Sequence, residues 1–287
     1  MSNMADDRQL MKTIRSAVSL YSENQFAKAY NILNNLSLKG VRPFVKIKII
    51  RIKIQCLVQV GNIETAKEQV NSILYEFPDD AMIHNFAARF YARFKDNQRA
   101  NKSFLRAVCL APKNAQYAIS YARYLQDINS PKLGLRVLIK FFRATKNQHR
   151  AQNPQYYLLY LELAHSYFWA QQYRFAAFFY QKCEPMVTEF IYHDKLAECL
   201  LQMKQFHKAE LAMLSHFSIW GESDPEASFL MAKILSSLKK NEQALEHLNH
   251  CLEYWDEIII TVADAEAFSP LIQGGDLKKI PNTIISV

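Results

Sequence analysis

The sequence predicts an all-α array of about seven helical pairs, closed by a C-terminal capping segment. Residues that favour helix, such as Leu, Ala, Lys and Glu, are frequent, whereas the 287 residues include only 6 Gly and 9 Pro. Half of the residues are apolar, which is enough for an ordered core. Most directly, a pattern of small and large residues recurs along the chain.

The clearest copy of this pattern extends from residue 81 to residue 114. It places Ala88 in a first helix and Ala100 and Phe104 in a second, and Pro112 closes it. A small residue lets two helices cross closely, and a large residue one turn further along fills the space beside the crossing. Proline belongs at the boundary because it fixes φ and lacks an N–H group.

The pattern occurs seven times, with spacings of 37, 34, 34, 42, 33 and 35 residues between the small residues of the second helices. The small position of each first helix lies twelve residues earlier and holds alanine except at Ile54, which predicts more open packing there. Glycine at position 134 predicts a loss of about 1 kcal/mol in helix stability. The small residues of the second helices are Ala29, Ala66, Ala100, Gly134, Ala176, Ala209 and Ala244.

This arrangement resembles the tetratricopeptide repeat (TPR) family, whose motif has the same order of small, large, small, large and closing proline residues. The resemblance covers most of the chain and implies a right-handed superhelical solenoid whose first helices line a concave, partner-binding groove. The C-terminal segment is similar to endings of bacterial members of the family, which points to a bacterial source. Its cap is predicted as two short helices that bring Phe268, Leu271, Leu277 and Ile280 over the last repeat.

Four parts are predicted along the chain. Repeats one to four occupy residues 1–144, a polar loop residues 145–154, repeats five to seven residues 155–258, and capping helices with a tail residues 259–287. The 42-residue spacing places the loop because it exceeds the others by about eight residues. Residues 45–54 nearly alternate apolar and basic side chains, as a strand does, but the repeat register favours a helix.

The groove-facing positions follow from helical periodicity combined with the family resemblance. Arginines among them suit carboxylates or phosphates, and the aromatic residues suit an apolar side chain of a partner. The alternative is that the arginines form a solvated face and that the aromatic residues pack between helices. The predicted peptide-binding residues are Arg51, Gln55, Asn85, Arg89, Arg123, His165, Phe168 and Trp169.

Several function classes lack their sequence signals. The chain has no glycine-rich phosphate loop, no GxSxG or HExxH motif and no CxxC pair, so we expect no enzyme, no cofactor and no metal site. Five dispersed cysteines indicate a reducing compartment. The start is polar and acidic, and no apolar run approaches the roughly 18 residues of a membrane span. These features predict a cytoplasmic protein without a membrane span.

The predicted function is a non-enzymatic scaffold, adaptor or chaperone for protein–protein interaction, as in bacterial secretion or pilus systems. Its partner would be an extended peptide or a helix with acidic and apolar segments. The alternative is RNA binding by the basic N-terminal half, because the net charge is +8. Nucleic acid is the less favoured partner, since equivalent groove residues form no regular code. The sequence does not predict an oligomeric state.

Overall fold

The computed structural model describes residues 4–145, 156–186 and 190–286. The chain divides into two compact units, Met1–Tyr121 and Ala122–Val287, and the boundary between them falls within one helix. The first unit begins with three helical pairs. Its helices are α1 (Met4–Ser22), α2 (Phe26–Asn34), α3 (Pro43–Gln59), α4 (Ile63–Glu76), α5 (Ala81–Arg93), α6 (Asn97–Leu110) and the first half of α7 (Ala115–Asp127).

The second unit continues the same alternation from the second half of α7. Four more pairs follow: α7 with α8, α9 with α10, α11 with α12, and α13 with α14. Their bounds are α8 (Pro131–Ala144), α9 (Tyr157–Trp169), α10 (Tyr173–Cys183), α11 (His193–Gln202), α12 (Phe206–Trp220), α13 (Pro225–Ser237) and α14 (Asn241–Cys251). A short 3₁₀ helix, Glu184–Met186, follows α10. The prediction of a helical-repeat solenoid with seven pairs is thus confirmed.

A left-handed residue recurs in the turn between the two helices of every pair. Its φ lies between 57° and 81° in all seven turns, and it always precedes the small residue of the second helix by five positions. Glycine and asparagine adopt this conformation easily, whereas lysine and glutamine do so at some cost in energy. The seven residues are Asn24, Gly61, Lys95, Asn129, Gln171, Lys204 and Lys239.

The helix crossings bury the small residues that the sequence pattern identified. All seven small residues of the second helices are buried, as the crossing geometry requires. Ile54 is also fully buried, and α3 and α4 are in less extensive contact than α5 and α6, as expected from the larger side chain. At Gly134 an added methyl group would come within 2.8 Å of the carbonyl oxygen of Ala122. Glycine therefore allows α7 and α8 to cross more closely than alanine would, which offsets its low helix propensity.

The segment with strand-like alternation is helical. Residues 45–54 lie inside α3, where Ile47, Ile49 and Ile54 are buried. This outcome follows the repeat register, because tertiary packing overrides the local strand preference of isoleucine. The predicted loop at 145–154 lies, apart from Thr145, outside the described residues.

The C-terminal segment caps the last repeat with more elements than expected. It contains α15 (Val262–Ala265), α16 (Ser269–Gly274) and a 3₁₀ helix, Asp276–Lys279. It also contains two short parallel strands, β1 (Ile258–Thr261) and β2 (Thr283–Ser286), in which Ile258 pairs with Thr283. The prediction that the cap consists of helices alone is therefore wrong. The four predicted capping side chains, Phe268, Leu271, Leu277 and Ile280, are all buried.

None of the helices described in this structure is both long and apolar enough to cross a membrane.

Candidate functional site

Four of the predicted site residues line one cavity in the first unit. Arg51 and Gln55 come from α3, and Asn85 and Arg89 come from α5, the next first helix along the chain. The cavity has a volume of about 370 Å³. Residues four apart on a helix share a face, so each helix contributes its pair to the same surface. The repeat register thus selected four neighbours from sequence alone.

The guanidinium of Arg51 is the least solvated charge in this cavity. It lies over the ring of Phe86, with 5.1 Å between the guanidinium carbon and the ring centroid. Burial, followed by the like charge of Arg89, lowers the pKa of Arg51. Its Nε is buried and has no hydrogen-bond acceptor among the residues described. An anion entering the cavity would meet a partly dehydrated cation with a free donor, which strengthens the attraction.

Asn85 contributes an unmet acceptor to the same cavity. Its Oδ1 is buried and receives no hydrogen bond from the described part of the chain. Gln55 and Arg89 are exposed at the rim. Buried polar atoms normally have partners, so the unpaired Nε of Arg51 and Oδ1 of Asn85 identify two neighbouring side chains whose hydrogen bonding the described chain does not complete. The N–H and C=O groups of an extended peptide have the complementary chemistry.

A second cavity, also of about 370 Å³, adjoins the first. The two share Arg51, Gln55 and Met82, and the second adds the side chains of Phe44 and Ile52. Phe44 is largely exposed, so its ring presents apolar surface beside the arginine. An acidic group and an apolar side chain on one ligand would therefore find complementary surroundings next to each other.

Arg123, the predicted site arginine of the second unit, already forms an ion pair with an acidic residue of the same chain. Arg123 of α7 donates from Nε to Oε1 of Glu162 on α9 over 2.7 Å, and a second bond runs from its Nη2 to the same oxygen. The hydrogen bond to Glu162 raises the pKa of Arg123. Nearby, Gln126 donates to Ser166 Oγ over 2.9 Å. Arg123 thus already holds a carboxylate, whereas Arg51 holds none among the residues that the structure describes.

Phe168 and Trp169, adjacent in sequence on α9, differ in environment. Phe168 is buried against Tyr173 at 6.1 Å and beneath the ammonium of Lys195 at 5.6 Å. Trp169 is 73% exposed and touches Phe168 edge to face at 5.5 Å. Trp169 is consequently the side chain of this pair that a partner can reach, while Phe168 supports it from behind.

His165, one turn before Trp169, is enclosed by aromatic rings. Its ring centroid lies 4.9 Å from that of Tyr192 and 5.6 Å from that of Tyr180. Burial lowers the pKa of His165, and the opposing attraction of Glu162 does not cancel this effect. The imidazole is therefore neutral near pH 7.

The lowered pKa predicts how the stability of the protein changes with pH. Below about pH 6.5 the unfolded chain takes up a proton at position 165 more readily than the folded chain. Stability from this group is therefore present above pH 6.5 and decreases as the pH falls below it. We expect the urea midpoint to fall from pH 7.5 to pH 5.5, and to fall less in His165→Gln. An equal fall in both proteins would contradict the assignment to His165.

Ion pairs join the capping segment to the last two helical pairs. Lys233 of α13 lies 2.7 Å from Asp264, and both side chains are largely buried. Burial raises the pKa of Asp264, but bonds from Lys233 and Thr261 outweigh it and lower the pKa. Lys204, in the turn before α12, pairs with Glu266 at 2.8 Å. Asp264 and Glu266 of the capping segment thus already pair with Lys233 and Lys204 at this end of the second unit.

Three further residues near the predicted site lie two positions before the small residue of their first helix and were not predicted from the sequence. Phe86 and Glu162 occupy this position, and so does Lys195 on α11, whose ammonium covers Phe168. The sequence contained a usable signal for two of them, because Phe86 and Glu162 lie three residues before the predicted residues Arg89 and His165 and therefore on the same helix face. Glu162 could have been identified in this way as a partner for a groove arginine.

Solved structures with similar folds are helical-repeat proteins. The C-terminal part of a TPR repeat-containing protein from Cytophaga hutchinsonii aligns with TM-score 0.63 and 13% identity, over 90% of this chain and 99% of that one. YrrB, a TPR protein with an unusual peptide-binding site, aligns with TM-score 0.55 and 14% identity, over 72% and 98%. PilW, a type IV pilus biogenesis factor, aligns with TM-score 0.52 and 17% identity, over 78% of this chain and 97% of that one. No protein-family model and no curated protein matches the sequence.

Proposed function

We propose that this chain, which has the fold of tetratricopeptide repeat proteins, is a scaffold without enzymatic activity that binds an extended peptide or a helix of a partner protein. The single observation that carries the proposal is the pair of joined cavities around Arg51. There a dehydrated guanidinium, an unpaired amide oxygen and apolar surface from Phe44 lie within one trough of the first unit.

The ligand chemistry follows from these groups. The Arg51 guanidinium would bind a carboxylate of the partner, and Asn85 Oδ1 would accept a hydrogen bond from a peptide N–H group. The adjoining cavity would take an apolar side chain next to the acidic one. In the second unit, Trp169 offers a separate apolar anchor, while Arg123 contributes less because Glu162 already pairs with it.

A finer version of the proposal makes the chain a cytoplasmic adaptor or chaperone in a bacterial secretion or pilus system. The similarity in fold to PilW supports this version, as does the presence of a peptide-binding site in YrrB. RNA binding is the alternative, favoured only by the basic side chains Arg51, Arg89 and Arg93 around one cavity.

A peptide selection tests the proposal. We expect a displayed random-peptide library to yield ligands in which Asp or Glu adjoins an apolar residue. Fluorescence anisotropy with one such peptide should show affinity reduced by about tenfold in Arg51→Gln, because one charge-assisted hydrogen bond is lost. Lys102→Gln, which removes an exposed charge from α6, is the matched control and should bind normally.

Two results would contradict the proposal. Peptides without acidic residues, or equal weakening in Lys102→Gln, would show that the Arg51 cavity does not hold the partner. Filter binding with single-stranded RNA over a salt series separates the alternative, because phosphate binding weakens steeply with salt. RNA binding that Arg51→Gln abolishes, without any peptide ligand, would replace the scaffold with an RNA-binding protein.

A further inference from the structure

The outward-facing sides of α8 and α10 carry many basic residues. Neither helix contains Asp or Glu. The exposed basic residues form no ion pair with any residue that the structure describes. They are Lys132, Arg136, Lys140 and Arg143 on α8, and Arg174 and Lys182 on α10. A substantial part of the net charge of +8 therefore lies on these two second helices.

The repeat register aligns these charges across the two helices. Lys132 and Arg174 both lie two residues before the small residue of their helix, and Lys140 and Lys182 both lie six residues after it. The helices are in contact, since Phe142 of α8 and Phe179 of α10 meet edge to face at 5.4 Å. Equivalent positions of neighbouring second helices correspond in the repeat register, which places the cations in two rows.

Apolar side chains occupy the positions between these rows. Leu133 and Phe175 take equivalent positions next to the small residues, and Phe178 follows on α10; each is about half exposed. Phe175 stacks on Tyr167 at 5.2 Å, and the ammonium of Lys182 lies 5.7 Å from the ring centroid of Phe178. The structure thus holds these apolar groups at the surface with cations beside them. We call these cations and apolar side chains together the basic outer face.

Other second helices lack this combination. On α6 of the first unit, Arg99 pairs with Asp96 and Arg106 with Asp79, so their charges are balanced. On α14 the matching positions hold Glu242 and Glu246 in place of Lys132 and Arg136. The basic outer face is therefore a local feature and not a consequence of the repeat.

We propose that the basic outer face binds the surface of a lipid bilayer that contains anionic headgroups. Rows of Lys and Arg attract such a surface, and apolar side chains between them enter the boundary between headgroups and acyl chains. Long basic side chains reach outward to the headgroups while their methylene groups cover apolar neighbours, as Lys182 does over Phe178.

Nucleic acid fits this face less well. Bases bind to proteins by stacking on open aromatic rings, whereas Tyr167 covers one face of Phe175 and Lys182 covers the ring of Phe178. Leu133 offers no ring to a base, but its apolar side chain enters a bilayer readily. The combination of exposed aliphatic surface and charge therefore favours lipid.

Vesicle co-sedimentation of the full chain tests this inference. We expect binding to vesicles of equimolar phosphatidylcholine and phosphatidylglycerol, weakening as salt is added, and no binding to phosphatidylcholine alone. Arg136→Gln/Lys140→Gln should lower the partition coefficient about 30-fold, since each basic residue near an anionic surface contributes about tenfold or less. Lys102→Gln/Lys113→Gln removes the same net charge from the first unit and should change it by about twofold at most.

A second variant tests how much the apolar side chains contribute to vesicle binding. Three further results would overturn the inference. Leu133→Ser keeps all charges and should weaken vesicle binding by about threefold or more. Absence of binding to the anionic vesicles, or equal weakening in both charge variants, removes the basic outer face as a lipid site. Binding to duplex DNA or polyuridylic acid without binding to vesicles would assign the face to nucleic acid instead. Circular dichroism of each variant confirms that it is folded.

Discussion

Replacing Phe104 with alanine will lower the free energy of unfolding by about 3 to 5 kcal/mol. Phe104 is 2% exposed on α6 and stacks on Tyr121 with 5.6 Å between ring centroids. It is also the large residue that follows the small crossing residue Ala100. Truncation would remove the contacts that fill the space beside the crossing and would leave a cavity that rigid helices cannot close.

The neighbouring residue provides the matched control. Leu105 is 51% exposed, and its truncation to alanine should change stability by about 1 kcal/mol or less. Urea titrations followed by circular dichroism measure both variants. Equal losses at positions 104 and 105 would show that the repeat register misplaces the core. A change in the slope of the transition would indicate that the units unfold separately, as repeat proteins can.

Much of the fold could be predicted from sequence because close helix crossings tolerate few residue types. Alanine at the crossing and a large residue beside it repeat wherever a helical pair stacks, so the register identified all seven pairs. The same register places the left-handed turn residues, but the sequence shows this only at Asn24, Gly61 and Asn129. At Lys95 and Lys204 the tertiary structure imposes the conformation on residues that do not favour it.

The parallel strands of the cap were beyond the reach of sequence patterns. β1 and β2 have four residues each, and their pairing joins Ile258 to Thr283 across an intervening helical segment. Such short strands have no stability of their own, and only the packing of the cap brings them together. The isoleucines in both segments favour strand, but equally isoleucine-rich residues in α3 form a helix.

Sequence periodicity predicted that four polar residues would be neighbours around the Arg51 cavity, but it did not predict the electrostatics of the arginines. Periodicity selected Arg51 and Arg89 as neighbours, and both line one cavity. It gave no information about which arginine is dehydrated and which is paired. That difference depends on Glu162, the acidic residue of α9, which is buried and pairs with Arg123. A charged residue at a buried position is a tertiary property, since its partner is distant in sequence.

The pairing of Arg123 with Glu162 leads to the second large effect. The side chain of Glu162 is 6% exposed, whereas that of Arg123 is 54% exposed. Arg123→Met would keep most of the methylene packing but leave a carboxylate buried without its cation. We expect a loss of about 2 kcal/mol at pH 7, less than for a fully buried pair because water reaches the arginine side.

Adding Glu162→Gln to Arg123→Met should restore most of this loss, because a neutral amide needs no counter-charge. The double-mutant cycle, measured by urea denaturation, therefore isolates the charge from the packing. A double variant no more stable than Arg123→Met would mean that Arg123 stabilises the second unit by packing alone. Its guanidinium would then be free to bind a partner's carboxylate, as proposed for Arg51.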